Sequence, residues 1–341
     1  ASLRPEPPGP YNAAAPGSQA IRPGSQRTPG PTTRPGNPPP RTPAHAEMHP
    51  YLFSFDVPFM DDPFHLRLFG LMVASGFLFG AHMLQRLVAK HGDDPEGDAE
   101  RYNNILMWVL IGVFGGARFM YVIVEVLRDS PTGQGYLADP LSMLFFWEGG
   151  LVMYGGFGGG ALLGVLKARM EGVRWKHALD MAIITAFFAQ AIGRVGCLMV
   201  GDDFGKVVPE AYKNLPFPIT VRVPEVLPEG SLFGAENAGQ VLWATQTWMS
   251  INALIVGLIA LQIFRRRRYT GQTTLWVIVL YAIGRYGIEM FRGDSIRGVW
   301  FDGLMSTSQV IAVVGALAAS LLIFKNRGNT KGGVGQPIPT S

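Results

Sequence analysis

Seven stretches of about twenty mostly apolar residues recur along the chain, near 66–88, 104–127, 142–166, 177–200, 245–264, 273–291 and 304–324. Polar residues gather in the connections between them. An α-helix rises about 1.5 Å per residue, so roughly 20 residues cross a hydrocarbon core of about 30 Å. The pattern predicts an all-α, polytopic integral membrane protein with about seven transmembrane helices.

The connections alternate in charge. Arg86, Lys90 and Arg101 follow the first apolar stretch, Lys167, Arg169, Arg174 and Lys176 the third, Arg265 to Arg268 the fifth, and Lys325, Arg327 and Lys331 the last. Lysine and arginine are retained on the cytoplasmic side, so these ends are placed in the cytoplasm, with the N-terminus outside and the C-terminus cytoplasmic. The connections 128–140, 201–243 and 293–303 then lie outside. Residues 1–47 are rich in Pro, Gly, Ser and Thr and lack apolar periodicity, which predicts a disordered tail. A membrane-embedded domain is expected over 48–327, with an outer loop at 201–243, followed by a cytoplasmic tail at 328–341.

Composition agrees: 48% of residues are hydrophobic and 16% charged, too apolar a balance for a soluble chain of 341 residues. The net charge of +4 is mostly a topology signal, and without a basic face interleaved with aromatics no nucleic-acid partner is expected. A single cysteine excludes an intrachain disulfide and a cysteine cluster, and the six histidines lack ligand spacing, so no metal is expected. The glycine runs lack the strand-then-helix setting of a dinucleotide or phosphate loop, and no cofactor is expected either.

Three arginines lie inside the apolar stretches: Arg118 after Gly115-Gly116, Arg194 between Gly193 and Gly196, and Arg285 between Gly284 and Gly287. Close helix packing through small residues accounts for the glycines but leaves the arginines unexplained. A guanidinium keeps its charge, and burying it costs about 3 kcal/mol even on lenient insertion scales, so it needs an anion. Glu289 lies one helical turn after Arg285, and Asp180 shares a span with Arg194 at a greater distance. Two explanations stand at this point: ion pairs that fix helix order, or a site for an anionic headgroup.

Other positions carry candidate chemistry. The segment 145–160 holds too many glycines for an uninterrupted helix in the first half of its span, and Tyr154 lies there, with a hydroxyl suited to a ligand or to a structural hydrogen bond. Gly201-Asp202-Asp203-Phe204-Gly205 follows the fourth span; its aspartates can orient an arginine, accept a proton or form a solvated turn. Cys197, one turn after Arg194, reads more readily as a buried inert thiol than as an activated one.

In this order the pieces resemble the prolipoprotein diacylglyceryl transferases over about 66–325. The likeness rests on Leu68-Phe69-Gly70-Leu71-Met72, Gly116-Ala117-Arg118-Phe119-Met120-Tyr121, Trp147-Glu148-Gly149-Gly150-Leu151 with Gly155-Gly156, and Asp180. It continues through Gly193–Gly205, Ala244-Thr245-Gln246-Thr247-Trp248, and Arg285-Tyr286-Gly287-Ile288-Glu289-Met290-Phe291-Arg292 followed by Ser308-Gln309. Of the family signature G-R-x-G-N-F-x-N-G-E-x-x-G the chain keeps Gly193, Arg194, Gly196, Gly201 and Gly205. It departs at Cys197 and Val200, where the family has asparagines, at Asp202 for glutamate, Phe69 for tyrosine, Tyr154 for histidine, and Trp248-Met249 for a Tyr-Glu pair.

The resemblance implies a multi-pass enzyme of the bacterial inner (plasma) membrane that moves a diacylglyceryl group from phosphatidylglycerol onto the lipobox cysteine of a prolipoprotein, releasing glycerol-1-phosphate. Its implied partners are phosphatidylglycerol, the prolipoprotein signal peptide and the bilayer. The implied catalytic set is Arg194, Arg285, Tyr154 and Asp202, and the headgroup contacts are Arg118, Tyr121, Arg194, Arg285 and Glu289. An anionic-lipid or solute transporter or flippase, or a lipid- or lipoprotein-binding homologue without catalysis, remain the alternatives.

Overall fold

The computed structural model describes residues 49–55, 64–94, 96–145, 150–293, 299–300 and 305–327. The expected tails at 1–47 and 328–341, and Trp147, Glu148 and Gly149 of the family-like segment, lie outside the described residues.

The described chain is mostly helical, with helices α1 (Leu68–His91), α2 (Asp98–Leu127), α3 (Pro131–Ala138), α4 (Met153–Met170), α5 (Trp175–Val200), α6 (Thr245–Arg266), α7 (Gln272–Glu289) and α8 (Thr307–Lys325). Three antiparallel two-stranded ribbons accompany them: β1 (Tyr51–Phe55) with β2 (Phe64–Arg67), β3 (Thr220–Arg222) with β4 (Val241–Trp243), and β5 (Val299–Trp300) with β6 (Met305–Ser306). Each of the seven apolar stretches holds one long helix. Five of these, α1, α2, α5, α6 and α8, are long and apolar enough to cross a membrane. The third helix starts later than its window: residues 140–144 form a 3-10 turn, and α4 begins only at Met153. The break therefore falls just ahead of Tyr154, which sits in the first turn of α4.

α5 is the central helix. Half of its apolar window is buried inside the protein, against 11% for α8, and Met181 and Ile184 are fully buried between α1 and α6 residues such as Leu84, Ala253 and Ala260. Phe119 and Leu321, by contrast, are about two-thirds exposed at 67% and 70%. Apolar side chains this exposed on a helix of that length are what a lipid-facing surface requires.

The glycine run of α4 stays helical because α2 presents glycines opposite. A methyl group added at Gly116 would lie 2.3 Å from the Gly155 carbonyl oxygen, and one at Gly159 would lie 2.2 Å from that of Gly112. Backbone-to-backbone contact of this kind replaces side-chain interdigitation. Gly115, one residue away, faces open space. Gly116→Ala is expected to part the two helices and destabilise the protein by about 1–3 kcal/mol. Gly115→Ala should instead add up to about 1 kcal/mol of helix propensity. Melting temperatures in one detergent measure both, and a shift of the same sign for the two variants rules out the packing account.

At the far end of α5 the fully buried Asp180 carboxylate holds the turn between α6 and α7. It accepts from Arg267 Nη1 at 2.9 Å, the Gly271 N–H at 2.7 Å, the Thr274 N–H at 2.9 Å and Thr274 Oγ1 at 2.8 Å. The N-terminus of α7 has no capping side chain of its own, so Asp180 satisfies its orphan donors from another helix. Arg267 also meets His177 Nδ1, while His177 Nε2 lies 2.7 Å from the His91 carbonyl. One of the four arginines read as a cytoplasmic charge run is thus a buried structural group.

Candidate functional site at the α5–α7 ends

The opposite end of α5 closes in a left-handed turn. Gly201 has φ 81° and its N–H bonds the Cys197 carbonyl at 2.9 Å, with the Asp202 N–H on the same oxygen at 3.0 Å. Asp203 follows at φ 54°, a region that aspartate enters more readily than most residues. Hydrogen bonds to both flanking elements hold the turn: Thr245 Oγ1 at the start of α6 donates to the Asp203 carbonyl at 2.8 Å, and the Gly293 N–H donates to that of Phe204 at 2.9 Å.

This turn carries Asp203 into the middle of a buried ion network. One carboxylate oxygen meets Arg194 Nη1 from α5 and the other meets Arg292 Nη2, just past the end of α7. Arg292 Nη1 lies 3.6 Å from Glu289 Oε2, and that oxygen pairs with Arg285 Nη2 at 2.8 Å. Arg194, Arg285 and Arg292 are each buried. Arg285 also reaches Ser308 Oγ of α8 at 3.2 Å and Met249 Sδ of α6 at 3.4 Å. Arg194 and Arg285, which the resemblance places in one set, are joined by Asp203, Arg292 and Glu289. The ion-pair explanation holds for Arg194 and Arg285, and the pairs gather three guanidiniums at one place.

The paired aspartates differ. Burial would raise the Asp203 carboxyl, but the Arg194 and Arg292 guanidiniums outweigh it and hold it below the usual carboxylate range. Asp202 is pushed up, first by burial and then by the negative charge of Asp203. Its Oδ1 accepts the Asp203 N–H at 2.9 Å, and its side chain lines a cavity of about 230 Å³ with Tyr51, Arg67, Phe69, Gly230 and Leu232. A carboxyl with raised affinity for protons beside a cavity is suited to proton transfer.

Arg118 and Tyr121 belong to a second grouping on α2. Arg118 is buried, and donates from Nε to the Met143 carbonyl at 2.8 Å, from Nη2 to Ser142 at 3.0 Å and from Nη1 to Gly150 at 3.4 Å. The rings of Tyr121 and Tyr136 lie 5.7 and 5.2 Å from its guanidinium carbon. The arginine thus ties the broken segment before α4 to α2. Tyr154 is partly exposed at 37% on α4. Cys197 is buried, 3.9 Å from Arg194 Nη1.

Sequence reasoning left Arg292 and Asp203 out of the candidate set and named only Asp202 of the paired aspartates. The signal for Arg292 was spacing: positions 285, 289 and 292 follow i, i+4, i+7 and share one helix face. Gln246 was also left aside. It is fully buried in the first turn of α6, and neither its amide nitrogen nor its oxygen has a hydrogen-bond partner among the described residues.

Residues 57–325 match the family model described as prolipoprotein diacylglyceryl transferase. Among similar proteins, phosphatidylglycerol–prolipoprotein diacylglyceryl transferase 2 of Clostridium perfringens is 28% identical over 267 residues, covering 76% of this chain and 94% of its own. The phosphatidylglycerol–prolipoprotein diacylglyceryl transferase of Synechococcus elongatus is 28% identical over 266 residues, covering 76% and 83%. That of Fervidobacterium nodosum is 26% identical over 274 residues, covering 79% and 86%.

Proposed function

The chain belongs to the prolipoprotein diacylglyceryl transferase family, and we propose that it transfers the diacylglyceryl group of phosphatidylglycerol to the lipobox cysteine thiol of a prolipoprotein, the first step of bacterial lipoprotein maturation. The observation that carries this reading is the buried chain of ion pairs from Arg194 through Asp203, Arg292 and Glu289 to Arg285.

In the reaction the acceptor sulfur attacks the glycerol carbon bonded to the phosphate oxygen. A C–S bond forms, the C–O bond breaks, and its electron pair stays on the departing glycerol-1-phosphate. A phosphodiester with one negative charge becomes a monoester that gains a second. Fixed cations in a dry site stabilise that developing charge without reorganising. Arg194 and Arg285 bind the phosphate, for which the planar guanidinium is suited, while Glu289, Arg292 and Asp203 hold them in place. Arg118 and Tyr121 contribute to the headgroup side from α2. Asp202 takes the thiol proton, with Tyr154 as the alternative base in the position where the family has histidine.

The seven long helices and the charge alternation support seven crossings, with the N-terminus outside, the C-terminus in the cytoplasm and the site at the outer face of the bacterial inner membrane. The signal peptide of the acceptor then approaches sideways through the bilayer.

Purified protein in phosphatidylglycerol liposomes with a lipobox-cysteine peptide is expected to yield one thioether-linked peptide and one glycerol-1-phosphate per turnover, both measurable by mass. Lipid bound without product would sink the transfer reading in favour of a lipid-binding homologue. Lipid moved between leaflets without product would favour a flippase.

A further inference from the structure

Gln246 has no part in the reaction above, yet its surroundings give it one. A carboxamide offers two N–H donors and two acceptor lone pairs, and here all of them are buried without a partner among the described residues. Folded proteins seldom leave such groups unsatisfied. Its direction follows from helix geometry, since residues three and four positions on share its face. Met249 Sδ lies 3.4 Å from Arg285 Nη1 on α7, and Ser250 Oγ donates at 2.6 Å to the carbonyl of Ala191 on α5, one turn before Arg194. Thr245 beside it holds the Asp203 carbonyl. The amide therefore belongs to the α6 face turned toward α5 and α7, the helices that carry Arg194 and Arg285.

Guanidiniums supply donors only, which is sufficient for a phosphate but not for a hydroxyl that must also donate. The carboxylates of Asp203 and Glu289 are engaged by the arginines. The Thr245 and Ser250 hydroxyls already donate to backbone carbonyls, whereas Gln246 has both a donor and an acceptor uncommitted among the described residues.

We infer that the Gln246 carboxamide binds the headgroup glycerol of phosphatidylglycerol, accepting from a hydroxyl and donating to a neighbouring oxygen, and so selects this lipid over one ending in a bare phosphate. The inference rests on the part of the proposed function that places phosphatidylglycerol at this site, and not on the transfer step. It makes Gln246 a specificity residue that acts before any bond is broken.

The test is Gln246→Leu in the full chain, delipidated in detergent and titrated with dioleoyl phosphatidylglycerol or dioleoyl phosphatidic acid, which share acyl chains and phosphate. Without lipid, the variant should melt at or above the wild-type temperature, since it removes an unsatisfied buried amide. Its affinity for phosphatidylglycerol should fall about tenfold or more, with less than about a twofold change for phosphatidic acid. Gln246→Met, closer in length, should behave alike. Failure to fold or a lower melting temperature in both variants would mark the amide as structural and overturn the assignment, as would an equal loss for the two lipids or no loss at all. A wild type that prefers phosphatidylglycerol but forms no thioether would remove the transfer reading and leave this one standing.

Discussion

Arg194→Ala and Arg285→Ala are each expected to lower diacylglyceryl transfer by about 10²–10³-fold, the range for losing one preorganised donor to a developing negative charge. The loss should fall mainly on kcat, because the leaving phosphate is more negative in the transition state than in the bound lipid. The two sites are not independent. Arg194 shares Asp203 with Arg292, and Arg292 shares Glu289 with Arg285. Removing Arg194 leaves Asp203 with one guanidinium where it had two, and the double variant should lose less than the product of the single losses. Lysine in either place keeps the charge but not the planar fork and should recover only part of the rate. Transfer within threefold of wild type in either alanine variant, with melting unchanged, would refute the phosphate role.

The number and placement of the long helices were legible in the sequence because the membrane imposes a length and a composition at once. The start of the third was not. Window averages register apolar residues, whereas the beginning of α4 is set by Arg118, which draws the carbonyls of Ser142, Met143 and Gly150 toward α2. The site was legible in the same partial way. Arginines inside apolar stretches declare themselves, and so does the Arg285–Glu289 spacing. Asp203 and Arg292 become partners only when the Gly201 turn and the end of α7 are brought together in space, a contact between residues 89 positions apart. Gln246 falls inside a family-like segment, but an amide near a helix start is commonplace, and only its burial without partners among the described residues sets it apart.

The two ends of α5 use ion pairs to opposite effect. Near the Gly201 turn, Asp203 and Glu289 hold Arg194, Arg285 and Arg292 through side chains alone. At the other end, Asp180 is saturated by protein groups. The same pairing of acid and guanidinium is thus a cradle in one place and a rivet in the other, and what separates them is how many backbone donors share the carboxylate.

That difference gives the largest expected effect on stability. Asp180→Leu should lower the unfolding free energy by about 3–5 kcal/mol, the range for stranding one partner of a buried ion pair, because Arg267 is left charged with 2% side-chain exposure. The variant also strands the N–H groups of Gly271 and Thr274 at the start of α7, which Arg267→Met does not. Arg267→Met should therefore cost less, since Asp180 keeps three of its four donors. The double variant should fall between wild type and Asp180→Leu, its charge problem removed and its helix cap still missing. Asp180 and Arg194 are separated by about 21 Å along α5 at about 1.5 Å per residue, so transfer per folded molecule should hold while thermal stability falls. Asp180→Leu melting within about a degree of wild type would show that the cluster does not lock the α6–α7 turn. A proportional loss of turnover in the folded fraction would show that the two ends of α5 are coupled.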